Sequence, residues 1–110
     1  MVSVISIPFM SVDVEKDEDS LLVQRLKARD KRAMEDLLRS HGAKLYGVAL
    51  QITRSETEAQ EAVQDALINI WNKIGNFEGR SAFTSWIYRV AANAALMKLR
   101  KNKRFEQHVP

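Results

Sequence analysis

Between Ser55 and Ile74 apolar residues return every three or four positions without a break: Ala59, Ala62, Val63, Ala66, Leu67, Ile70, Trp71 and Ile74. At 3.6 residues per turn they form one stripe, and Glu58, Glu61, Asp65, Asn69 and Asn72 lie opposite it. A strand period of two would scatter the same side chains over both faces, so the spacing predicts a long helix. An apolar stripe of this length can be hidden only against other elements carrying the same pattern. The segment opens on Ser55-Glu56-Thr57-Glu58. This is a capping box, the serine accepting from the Glu58 amide and the glutamate reaching back to the Ser55 amide. Gly75-Asn76 stops it.

The same period recurs on both sides. Ser20 or Asp19 can cap a first helix in which Leu22, Val23 and Leu26 share a face. Asp30 can cap a second, with Ala33, Met34, Leu37 and Leu38 in line until Gly42, which suits a left-handed C-terminal cap. A third helix carries Leu45, Tyr46, Ala49, Leu50 and Ile52 and ends near Thr53. Beyond the loop Phe77-Glu78-Gly79-Arg80-Ser81, a last helix starts between Ser81 and Ser85 and runs to about Lys103. Its buried side is Phe83, Ile87, Val90, Ala91 and Ala94; Trp86, Arg89, Asn93, Leu96, Arg100 and Arg104 gather on another side. With only 4 Gly and 2 Pro and no alternating run, the chain is read as all-α, a compact bundle of four to five helices. The expected core includes Leu26, Leu37, Leu45, Val63, Leu67, Ile70, Ile87 and Val90. Residues 1–19, acidic and aperiodic, are expected to form a flexible leader; residues 20–104 form the domain, and 105–110 begin a linker.

Several function classes are set aside by what the chain lacks. There is no cysteine, no glycine-rich phosphate loop and no apolar run near the roughly 20 residues that cross a bilayer, so membrane insertion is not expected. Two histidines, His41 and His108, do not make a metal or catalytic constellation, and neither an enzyme activity nor a cofactor is expected. His41 is placed at a helix end, where it complements the dipole. Charge is more informative: residues 1–65 carry a net −3 and residues 66–110 a net +6. A basic half suits a polyanion such as nucleic acid.

On the residues alone two faces admit two readings each. Glu58, Glu61 and Asp65 are either a solvated helix side or a docking face for a basic partner, since like charges so spaced repel mildly. Lys98, Arg100, Lys101, Lys103 and Arg104 either solubilise a helix end or meet phosphates. Arg89 and Asn93 one turn apart, near a loop carrying Phe77, favour the second, because guanidiniums and amides read base edges and aromatics stack on unpaired bases.

From about Leu22 to Arg104 the chain resembles region two of bacterial sigma factors, in the extracytoplasmic-function (ECF) group of the sigma-70 family. The residues that carry the resemblance are LLVQRLKARDKRAMEDLLRSHGAKLYGVALQIT, EAQEAVQDALINIWNKIGNF and EGRSAFTSWIYRVAANAALMKLRK. The last, with Phe77, Gly79, Ser81-Ala82-Phe83, Trp86, Tyr88-Arg89 and Asn93 in register, is the most specific. The resemblance implies a cytoplasmic bacterial transcription initiation factor with partners for both faces. Glu61, Gln64, Asp65 and Asn69 would dock on the clamp coiled coil of the largest subunit of core RNA polymerase. Phe77, Gly79, Arg80, Ser81, Arg89, Asn93, Arg100 and Arg104 would contact promoter DNA, melting the minus-ten element and capturing one flipped nontemplate base. An anti-sigma regulator is implied as a further partner. Such factors also possess a region-four helix-turn-helix domain, for which the chain has no segment after Pro110, so an isolated or truncated domain is expected. The alternative is a helical interaction module that binds polymerase or an anti-sigma protein and touches no DNA.

Overall fold

The computed structural model describes residues 19–79 and 81–108, with side chains as far as Lys103. Ser55 does cap the long helix, its hydroxyl accepting from the Glu58 amide at 3.3 Å. The return half of the box is absent. The Ser55 amide lies 3.4 Å from Thr53 Oγ1, and the Glu58 carboxylate accepts instead from the side-chain amide of Asn102, far along the chain. Four helices make up the described residues, with no strand among them: α1 (residues 19–27), α2 (Lys31–Thr53), α3 (Glu56–Lys73) and α4 (Phe83–His108). A single 3-10 turn, Ile74–Asn76, follows α3.

The second and third helices expected from the sequence are one. Gly42 lies buried in the middle of α2, without the left-handed backbone of a cap. The apolar period carries through it, Leu37, Leu45 and Ala49 being fully buried on the same side, so packing keeps the helix going where local preference would end it. The left-handed positions belong to Arg29 (φ 65°) and Arg54 (φ 56°), where a non-glycine residue costs about 1–2 kcal/mol. At the first, the Arg29 amide donates to the Leu26 carbonyl and the Asp30 amide to the Arg25 carbonyl, each at 3.0 Å, which is a Schellman closure of α1. Asp30 then starts α2, accepting from the Arg32 amide at 3.0 Å.

Asp19 and Ser20 already have helical backbone, so neither caps α1 among the described residues, and Asp19 joins the helix instead of the expected leader. Residues 1–18 lie outside the described residues. At the other end α4 continues past Lys103 to His108, into the stretch read as a linker. His41 lies inside α2, not at a helix end, with Nε2 3.1 Å from Asp19 Oδ1 and its ring edge-on to Phe83 at 6.1 Å.

Helices α2, α3 and α4 each pack against the other two, and α1 adds Leu22 and Leu26. Of the expected core, Leu26, Leu37, Leu45, Val63, Ile70 and Ile87 are buried; Leu67 and Val90 sit partly buried at its edge. Ala59, Ala62, Ala66, Ala91 and Ala95 are also buried, and such small side chains let α3 and α4 approach closely. Each fully buried leucine or isoleucine is worth about 1.5–3 kcal/mol, enough to offset both left-handed arginines.

Candidate functional site

The segment from 77 to 82 links the 3-10 turn to α4 and is tied down at both ends. The Phe77 amide donates to the Ile74 carbonyl at 3.1 Å, and the Phe77 carbonyl accepts from Lys27 Nζ of α1 at 2.6 Å. The half-buried Phe77 ring lies 5.9 Å from Phe83, edge to face, and 5.3 Å from Trp86. The Trp86 ring also lies 6.3 Å from Phe83, which gives it a packing role. Gly79 is exposed at φ 78°, a backbone that L side chains rarely adopt, with open space where a Cβ would stand. At the far end Ser81 Oγ accepts from Arg89 at 3.2 Å. Between α1 and this loop runs an open groove, with Val23, Gln24 and Lys27 on one wall and Phe77, Gly79 and Ser81 on the other.

Trp71, expected in the apolar stripe, is only partly buried. The Arg29 guanidinium covers its ring at 3.8 Å from the centroid and donates to the Trp71 carbonyl at 2.7 Å. Thus α1 and the turn that closes it reach both ends of the segment from 71 to 77, through Lys27 and Arg29. Down α4, Arg89, Asn93, Leu96 and Arg100 are exposed along one line about 16 Å long, at 1.5 Å per residue. Arg80 and the side chain of Arg104 lie outside the described residues.

The acidic face forms a second surface. Glu61, Gln64 and Asp65 are exposed and Asn69 is half-buried, as the stripe predicts. Both carboxylates are nevertheless taken: Lys98 Nζ of α4 lies 3.4 Å from Glu61 Oε2 and 3.4 Å from Asp65 Oδ2. Burial pushes the Lys98 ammonium down, and Asp65, followed by Glu61, outweighs it, so the group is held above the ordinary lysine value. Beside them Ile68 and Met97 are 59% and 69% exposed. The sequence signal for Ile68 is its place one turn from Gln64 on the polar side of α3. Lys27, Gln24 and Lys98 carry no comparable signal, since only the fold brings them to these surfaces. Among the described residues no group of three His, Cys, Asp or Glu side chains could hold a metal ion, and no helix is long and apolar enough to cross a membrane.

A four-helix domain with a tethered aromatic loop, a basic line on its last helix and an acidic face on the one before defines a class, and the comparisons agree. The Sigma-70 region 2 family matches residues 25–105, and the chain belongs to that family, in its ECF group. Among curated proteins it is 38% identical over 80 residues to the RNA polymerase sigma-H factor of Pseudomonas aeruginosa, covering 73% of this chain and 42% of that protein. It is 33% identical over 89 residues to the ECF RNA polymerase sigma factor SigM of Mycobacterium tuberculosis, covering 81% and 45%. The chain therefore spans less than half the length of these relatives. Among solved structures it is similar to an engineered region 2 of sigmaE in complex with GTAAAA, with a TM-score of 0.71 and 27% identity, covering 78% of this chain and 90% of that one.

Proposed function

We propose that this domain serves in bacterial transcription initiation, in the cytoplasm, by binding core RNA polymerase and recognising the promoter minus-ten element, where it captures one flipped base of the nontemplate strand. The observation that carries this reading is the groove beside Phe77, Gly79 and Ser81, whose Ser81 hydroxyl accepts from the exposed Arg89, with Asn93 exposed one turn further along α4. Extracting a base costs a few kcal/mol, which stacking and hydrogen bonds to the extracted base must offset. The groove supplies an aromatic edge at Phe77, a backbone free of side chain at Gly79 and a hydroxyl at Ser81, and the Asn93 amide would add donors and an acceptor from α4. Arg89 and Arg100, with Arg80 and Arg104, would meet phosphates. The similar engineered region 2 of sigmaE was solved in complex with GTAAAA, which supports the same ligand class here. Glu61, Gln64, Asp65 and Asn69 would face the clamp coiled coil of the largest polymerase subunit, with an anti-sigma protein as a competing partner.

The test is binding of fluorescent single-stranded minus-ten oligonucleotides by the chain assembled on core polymerase. Asn93→Ala should cost about 1–3 kcal/mol and relax the preference at one position. Arg100→Ala should weaken all sequences alike and flatten the salt dependence. If Phe77→Ala and Asn93→Ala variants that bind polymerase normally select and open promoters like the parent, base capture is wrong and the domain is an interaction module.

A further inference from the structure

The groove beside the 77–82 loop has a second wall, built by α1, and its chemistry is specific. Gln24 is exposed there, and among the described residues its side-chain amide has no hydrogen-bond partner. Such an amide offers two donors and one acceptor on a single plane, the set that pairs with the polar edge of a nucleobase. Three positions later, one helical turn on, Lys27 lines the same wall and donates to the Phe77 carbonyl at 2.6 Å. That bond links the two walls directly, so the distance from the Gln24 amide to the aromatic edge across the groove is set by the fold. Val23 adds an apolar side chain to the same wall.

We infer that Gln24 reads the edge of the base held in the groove, and that Lys27 is a positioning residue that holds the loop at the distance this contact needs. The inference rests on the base-capture reading above and extends it to α1. A lysine holding a carbonyl acts by charge and reach, so arginine should replace it and methionine should not. A glutamine reading an edge acts by its donors, so glutamate, which keeps the shape and loses them, should change which base is preferred.

The experiment uses the full chain on core polymerase and a set of single-stranded minus-ten oligonucleotides carrying each base, or an abasic site, at the captured position. Gln24→Ala should reduce discrimination among the bases at that position roughly tenfold. It should leave affinity for the abasic strand and for polymerase unchanged. Gln24→Glu should change the order of preference, not merely its strength. Lys27→Met should weaken all four bases together, and Lys27→Arg should restore them. If Gln24→Ala and Gln24→Glu keep the parent's preferences while Asn93→Ala loses them, α1 does not read the base and base capture itself stands. If no variant, Asn93→Ala included, alters the preference, the underlying reading fails as well.

Discussion

Asp65 and Glu61 share one lysine, and that changes how their face must be probed. Reversing Asp65 to lysine would set two ammonium groups where Lys98 now lies 3.4 Å from a carboxylate, so the fold is disturbed together with the surface. A partly exposed pair of this kind contributes about 0.2–1 kcal/mol, so Asp65→Asn should lower the melting temperature by about 1–8 °C. Gln64, exposed and one position away, separates the two effects. Gln64→Ala should weaken core polymerase binding with no change in melting temperature, and the loss from Asp65→Asn should shrink as salt rises. Parent-like binding by both variants would remove this face as the docking surface. The cap at Asp30 gives a test by pH. Hydrogen bonds from Arg25 and then from the Arg32 amide hold its carboxyl below the ordinary value of 3.8. A depressed carboxyl stabilises the fold fully above that value and loses its contribution as pH falls through the lower folded one. Asp30→Ala should therefore melt below the parent at pH 7, and the gap should narrow only below about pH 4, as thermal melts across that range would show.

At the scale of the element, α2 is the informative case. Its two glycines, Gly42 and Gly47, are poor helix residues, and the sequence pattern places a break at the first. What that reading lacked was the other helices: Leu37, Leu45 and Ala49 bury against α3 and α4, and this outweighs a glycine penalty of about 1 kcal/mol. The penalty is still present in the fold. At Gly47 a Cβ would meet nothing within 4 Å, so Gly47→Ala should stabilise the domain by about 0.5–1 kcal/mol in denaturant unfolding. At Gly42 the added Cβ would come 2.9 Å from Leu38 Cδ1, the tip of an exposed side chain, so the gain there should be smaller. The stripe of α3 and the buried side of α4 were legible because an amphipathic period states its own inner face. The half-made capping box was not, since Asn102 and Thr53, which take the groups it needs, are fixed by tertiary packing and by the turn before α3.

Over the whole molecule the charge gradient read from the sequence becomes a division of surface, acids on α3 and an exposed line of arginine and asparagine on α4. Single-strand binding should consequently fall steeply with salt, and polymerase binding by α3 less steeply, a contrast that parallel titrations would measure. The α4 side of the candidate site was visible in the sequence because its residues lie within 17 positions of one another, from Phe77 to Asn93. The α1 side was not visible, because Lys27 and Gln24 meet the loop only after the chain has closed on itself. The tie from Lys27 to Phe77 spans 50 positions and that from Arg29 to Trp71 spans 42. Contacts so remote in sequence form only after the loop-closure entropy of the intervening chain has been overcome. On a ribosome, α1 and the turn after it would emerge with Lys27 and Arg29 unsatisfied and wait for most of the domain to be made. The groove beside Phe77 would then be among the last features to take shape, after α2 and the acidic face of α3 had already been made.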